Sequence, residues 1–311
     1  MDLTYLWIIF IFTVIFVFVL DFKLSILKPH IIGFIESLKL CFLWFSIASL
    51  YGLVIGYFLN TSKMIEYFTA YVIEYSLSID NMFVFLMIFN YFNIEKHNQP
   101  KVLTIGIISA IFMRMIFIFL GIELVERFKW IIYIFGIILI YSGIKMFRKK
   151  EEEFSPDDSL IMKYFGKVFP FDKSYKGNKF FIRKDGKILT TRMLLVLVFI
   201  ETSDIIFAID SVPAVLAITH DRLIAYTSNI FAVVGLRSLY FALSFLADYF
   251  TYLKNGVSII LIYVGLKMIF LEFIHINPFY SLIFIISVLF ISIVFSLIKK
   301  KFDFVKFYDI I

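Results

Sequence analysis

Cysteine occurs once among 311 residues, as Cys41 within an apolar run. A single thiol excludes an intramolecular disulfide, and with it a cysteine-based metal or thiol redox centre. Charged residues are scarce as well, 17% of the chain, while 61% is hydrophobic and mean hydropathy is +0.93. Soluble domains are about 45–50% apolar, so this balance excludes one and predicts an all-α polytopic membrane protein. The net charge of +6 does not point to nucleic acid, because the Lys and Arg residues fall in loops between apolar segments, as the positive-inside rule describes. Missing before Lys23 is any basic residue, and no small-residue cleavage site follows the first apolar run. That segment therefore reads as a retained helix and not as a secretory signal. His30, His97, His220 and His275 lie in or beside loops and read as ordinary interfacial histidines. Many Phe and Tyr (41 and 18) against few Gly and Pro (13 and 6) resemble the bias of an AT-rich genome and say nothing about mechanism.

Apolar runs of roughly 17–25 residues each predict nine spans, at 4–20, 38–59, 67–92, 102–121, 129–147, 191–218, 222–247, 255–274 and 279–298. Basic residues concentrate in alternate loops and in the tail at Lys299, Lys300 and Lys301. That side is predicted to be cytoplasmic, in a bacterial inner (plasma) membrane, with the N-terminus outside and the C-terminus inside. The long loop from Arg148 to Arg192 has too little apolar material for a sizeable soluble domain. It reads as a solvated basic connector, with a hairpin over FFIRKDGKI (Phe180–Ile188) turning at Asp185–Gly186. A regulatory or partner-docking role is the alternative.

Acids stand where a bilayer makes them expensive. FIETSDIIFAIDSVPAVLAIT (Phe199–Thr219) carries Glu201, Asp204 and Asp210, and VIEYSLSIDNMFVF (Val72–Phe85) carries Glu74 and Asp80 at the six-residue interval that also separates Asp204 from Asp210. Setting Asp80 on Asp210 pairs Glu74 with Asp204 and Asn81 with Ser211. Further along, Arg114 meets Arg237, and YSGIKMF (Tyr141–Phe147) meets YVGLKMI (Tyr263–Ile269). The repeated unit is three helices, so the second copy is predicted to enter the membrane inverted, as in secondary transporters that bind cargo near the midplane. The chain then divides into two N-terminal helices (1–66), a first repeat (67–147), the basic loop (148–190), a second repeat (191–274), and a last helix with its basic tail (275–311).

Glu201 and Asp204 project about 60° apart on an ideal helix, whereas Asp204 and Asp210 are about 120° apart. A shared cation therefore requires a bent or locally unwound helix, and Pro213 is the expected place, freeing the Ile209 carbonyl beside Asp210. Ser76, Ser78 and Asn81 supply further oxygens in the first copy. All of these are hard donors, which favours Mg²⁺, Ca²⁺ or Mn²⁺. Five acids against Arg114 and Arg237 leave a formal negative excess that a divalent cation or protons must balance. Exchange of metal for protons follows as an expectation, and Na⁺ satisfies the same charge count. The two arginines are read either as structural counter-charges or as gating residues. Lys145 and Lys267, near helix ends, are expected to snorkel. No GxGD stretch is present, so an intramembrane aspartyl protease is disfavoured and no enzymatic role is expected.

At these residues the sequence resembles the TerC/Alx family of integral membrane proteins. EYSLSIDNMFVF (Glu74–Phe85) and ETSDIIFAIDSVPAVLAIT (Glu201–Thr219) are similar to its two signature segments, and SNIFAVVGLRSLYF (Ser228–Phe241) is similar to family sequence as well. The resemblance implies a nine-helix relative of the lysine-exporter superfamily that exports Mn²⁺, without a permanently bound cofactor. It also implies Glu74, Asp80, Asn81, Glu201, Asp204, Asp210 and Ser211 as metal-site candidates. The family is further associated with tellurium-ion resistance, and plastid relatives with thylakoid membrane protein assembly. The alternative function is thus a membrane-protein assembly or metalation factor. Expected partners are the lipid bilayer, a divalent metal ion, and protons or Na⁺.

Overall fold

A computed structural model describes residues 3–25, 32–148, 177, 179–184, 187–246, 252–270 and 278–308, except the side chains of 21–25, 80, 83, 246, 278 and 300–308. Most of the 148–190 loop, the turn at Asp185–Gly186 and His275 lie outside these residues, as does the side chain of Asp80. In chain order the helices are α1 (Leu3–Ser25), α2 (Phe34–Phe58), α3 (Thr61–Tyr91), α4 (Gln99–Arg127) and α5 (Ile131–Arg148). After a hairpin come α6 (Arg192–Leu216), α7 (Arg222–Val234), α8 (Leu236–Leu246), α9 (Leu253–Ile269) and α10 (Pro278–Tyr308). The hairpin is the predicted one: β1 (Phe181–Lys184) pairs antiparallel with β2 (Lys187–Thr190), Phe181 opposite Thr190.

Local chemistry sets several ends. The Asn60, Thr191 and Asp221 side chains accept backbone N–H bonds at the starts of α3, α6 and α7, filling donors that a helix N-terminus leaves open. Asn93, in the left-handed region at φ 49°, closes α3. There the Ile94 N–H reaches the Phe89 carbonyl and the Asn93 N–H reaches that of Asn90, the two bonds of a Schellman ending.

Six of these helices are long and apolar enough to cross a membrane, and α7 with α8 makes a seventh if that pair, bent by 43°, is one span. Two predicted spans fall outside that count for identifiable reasons. α6 carries three acids, and α9 is only 17 residues long. In a bilayer core every backbone group must be bonded internally, which the helical ladders achieve. Their outer faces carry Phe12, Phe42, Phe112 and Phe290, all well exposed, as lipid-facing surface requires.

The helices are buried to different depths. Of the most apolar window of α3, 62% is buried, against 17% for α1 and for α5, and α7 is buried along nearly its whole length, so α3 and α7 lie deep in the bundle. Helix α3 packs on α6, α7 and α10, while α4 packs on α6 and α7, and α5 on α9. The α5–α9 contact is the tightest. A Cβ placed on Gly143 would lie 2.8 Å from the Ser258 carbonyl oxygen, and one on Gly265 would lie 2.6 Å from that of Gly136. Only glycine allows backbones so near, the usual device of helix pairs in lipid.

Two expectations are corrected. α6 does not break at Pro213 but continues to Leu216. Proline there sits in the last turn, where few ladder bonds remain to be lost, and the Ala217 N–H still closes onto the Pro213 carbonyl at 2.9 Å. The bend falls instead at Gly235, between α7 and α8. Lys267 does not snorkel: it is 7% exposed and its Nζ donates to Ser281 Oγ at 3.2 Å. Its repeat counterpart Lys145 is exposed, over the Tyr141 ring. The difference arises because α10 covers α9, whereas α5 faces outward.

Candidate functional site

The acidic segments of α3 and α6 lie side by side in the interior, and α4 reaches both. Glu74 is fully buried on α3, and its Oε2 accepts a hydrogen bond from Arg114 Nη1 at 2.5 Å. The same Nη1 points to Ser211 Oγ of α6 at 3.5 Å. Arg114, 2% exposed, thus ties one acidic helix to the other. A charge-assisted bond of this kind is strong only because both groups are desolvated, and that desolvation offsets much of the attraction.

On α6 the acids spread around the helix, as their angular spacing requires. Asp204 is buried, and the charges it faces are Arg114 and Glu201. Glu201, half-buried, accepts from Ser109 Oγ of α4, close to Gly106 of the same helix. Asp210, also half-buried, accepts from Ser142 Oγ of α5 at 2.6 Å, with Lys145 as its nearby positive charge. Asn81 and Ser211, the matched neutral pair, are both buried. Arg237, 1% exposed on α8, donates to Thr104 Oγ1 of α4 at 3.5 Å.

Glu74, Asp204, Ser211 and Arg114 are therefore brought together, while Glu201 and Asp210 point to opposite flanks of α6. Among the described residues no three Asp, Glu, His or Cys side chains stand close enough to hold one ion. What the centre does hold is buried polar atoms without a hydrogen-bond partner: Glu74 Oε1, Ser78 Oγ, Asn81 Nδ2, Asp204 Oδ1 and Arg114 Nε and Nη2. Such atoms are rare in folded interiors and mark places with a role beyond packing. Sequence reasoning missed Ser109, Ser142 and Thr104, the hydroxyl partners of the charges. Small hydroxyls are common in membrane helices, and only their helical phase opposite an acid distinguishes these.

Long apolar helices around a buried ionisable centre define the class: an all-α polytopic integral membrane protein. Within that class, the chain belongs to the TerC family of integral membrane proteins, whose family model matches residues 59–303. It is similar to an uncharacterized membrane protein of Myxococcus xanthus, 40% identical over 95% of this chain and 93% of the relative. It is likewise similar to one of Rickettsia bellii, 39% identical over 95% and 98%. A Salmonella typhi relative named Alx, a candidate membrane-bound redox modulator, is 37% identical over 81% of each chain. No solved structure matches.

Proposed function

We propose that this TerC-family protein is a metal-ion transporter, and not an enzyme, that exports Mn²⁺ from the cytoplasm by alternating access, with protons moving inward. The observation that carries the reading is the joining of two acidic helices through one buried arginine, Arg114, with carboxylate oxygens of Glu74 and Asp204 left unpartnered. Buried carboxylates with spare lone pairs suit a hard cation, and an arginine between them limits how much charge remains when the ion leaves. Asp80, Asn81, Glu201 and Asp210 complete the proposed ligand set, drawn on in succession as the halves rock.

Alternating access rests on two inverted three-helix repeats within a nine-span chain. The α5–α9 contact supports that reading. Gly143 approaches Ser258 and Ile262, and Gly265 approaches Gly136 and Ile140; the repeat offset that sets Gly143 on Gly265 also sets Gly136 on Ser258 and Ile140 on Ile262. One contact made twice, with the partners exchanged, is what a two-fold axis in the membrane plane produces. The proposed placement is a bacterial plasma membrane with the C-terminus inside. A redox role through a dithiol within the chain has no support, given the lone Cys41.

The test is Mn²⁺ movement by purified protein in vesicles under an imposed proton gradient, compared with a Na⁺ gradient. Asp80→Asn and Asp210→Asn should each abolish it with the protein still inserted. Retained transport in both variants removes the proposed site. No transport by the well-folded wild type leaves the assembly or metalation factor as the function.

A further inference from the structure

Asn229 of α7 is fully buried, and neither its amide oxygen nor its amide nitrogen has a hydrogen-bond partner. Leaving both ends of a buried amide dry is costly, because the group gives up its hydrogen bonds to water and gains none in exchange. A residue that only filled space would be apolar.

Its level in the bundle follows from the contacts on either side. Toward one end, Arg222 bonds to Glu123 and Glu126 of α4, and Tyr226 Oη donates to the Met115 carbonyl. α7 therefore runs antiparallel to α4. Lys63 pairs with Asp221 at 3.4 Å, so α7 runs parallel to α3. Ala225 shares one buried cluster with Ala70 of α3 and Ile118 of α4. α7 packs along both α3 and α4, and on the face that Ala225 gives to that cluster the next turn of α7 carries Asn229, as the next turn of α3 after Ala70 carries Glu74 and the turn of α4 before Ile118 carries Arg114. A carboxylate, an amide and a guanidinium, all buried, thus stand on three helices that pack together, with buried Ser78 one turn beyond Glu74 on α3.

We propose that Asn229 is a cation-binding residue, its amide oxygen forming with Glu74 Oε1 and Ser78 Oγ the α3–α7 wall of the ion path. A neutral oxygen suits the place. It adds a hard ligand for a divalent ion without adding charge to a site that must also release its cargo. The inference rests on the transport reading and extends it to a helix that carries no acid at this depth.

The experiment is Mn²⁺ binding to the purified full-length chain, followed by loss of the free Mn²⁺ EPR signal, for wild type, Asn229→Leu and Asn229→Asp. Leucine keeps the size and removes the oxygen, so binding should weaken by about 10–100-fold, the range for loss of a supporting group at a metal site. Aspartate keeps an oxygen and should bind at least as tightly as wild type. Should Asn229→Leu not accumulate in the membrane, Asn229→Ala is held to the same criterion. Binding by the apolar variant within twofold of wild type overturns the proposal alone. Loss of binding in the aspartate variant as well assigns the residue to packing and overturns it too. A wild type that binds no Mn²⁺ overturns the transport reading together with this one.

Discussion

The acidic helices α3 and α6 carry matched residues but use them differently. On α3, Glu74 is fully buried and locked to Arg114. On α6, Glu201 and Asp210 are half-buried and held by single serine hydroxyls, Ser109 and Ser142. The extra acid also has a structural explanation. Tyr71, which occupies on α3 the place of Glu201, belongs to a ladder of rings, Tyr67, Tyr71 and Tyr75, stacked at 6.2 and 5.8 Å. Tyr67 Oη anchors that ladder to the Ala48 carbonyl of α2. One copy of the position is committed to packing against α2, and the other is left free to carry charge. Matched acidic spacing thus goes with a buried, arginine-paired carboxylate on α3 and with half-buried, serine-bonded ones on α6.

The variant that breaks this contrast most strongly is Arg114→Met. It strands Glu74 in the interior, and removing one partner of a buried pair costs about 3–5 kcal/mol. Thermal unfolding in detergent should show that loss, with most of it restored in Glu74→Gln/Arg114→Met. Asp210→Asn, by comparison, should leave the melting temperature nearly unchanged, because only one hydroxyl bond to a half-buried group is altered. Equal destabilisation by the two would mean that both helices are fixed alike.

That contrast was only partly legible in the sequence. Charge in an apolar run is conspicuous because it is expensive, so the acids, Arg114 and Arg237 could all be read from it. Burial of Lys267 but not Lys145 could not be read, since it depends on α10 covering one copy of the helix and not the other. Pro213 pointed to a break that the last turn of α6 absorbs, while the bend came at Gly235, one small residue in a run with no other breaker. Asn229 carries no charge, so hydropathy gives it little weight; its unpartnered amide is visible only once three helices are in register.

A smaller effect sharpens the comparison at the α5–α9 contact, where the two copies behave alike. Gly143→Ala and Gly265→Ala each press a methyl group onto a carbonyl oxygen of the other helix. Overpacking of this kind costs about 1–3 kcal/mol, and the two variants should lose similar amounts, since each meets the same kind of carbonyl contact on the other helix. Clearly unequal losses would argue that the copies meet there by chance and not as equivalents.

The smallest expected effect lies at the helix ends. Arg222 bonds to Glu123 at 2.8 Å and Glu126 at 3.2 Å, but all three side chains are about half exposed. Exposed pairs contribute between about 0 and 1 kcal/mol and are screened by salt. Arg222→Ala should therefore lower stability by less than about 1 kcal/mol, and the difference from wild type should shrink when unfolding is repeated at high ionic strength. The neighbouring set is less exposed: Thr219 Oγ1 donates to Glu66, and Lys63 joins Glu66 to Asp221. It holds the α6–α7 connection to α3 without Arg222, so removing the arginine leaves that connection in place. A loss well above this range, or one insensitive to salt, would mean that the ends are fixed as firmly as the Glu74–Arg114 centre. Firm and loose attachment would then not divide along α3 and α6.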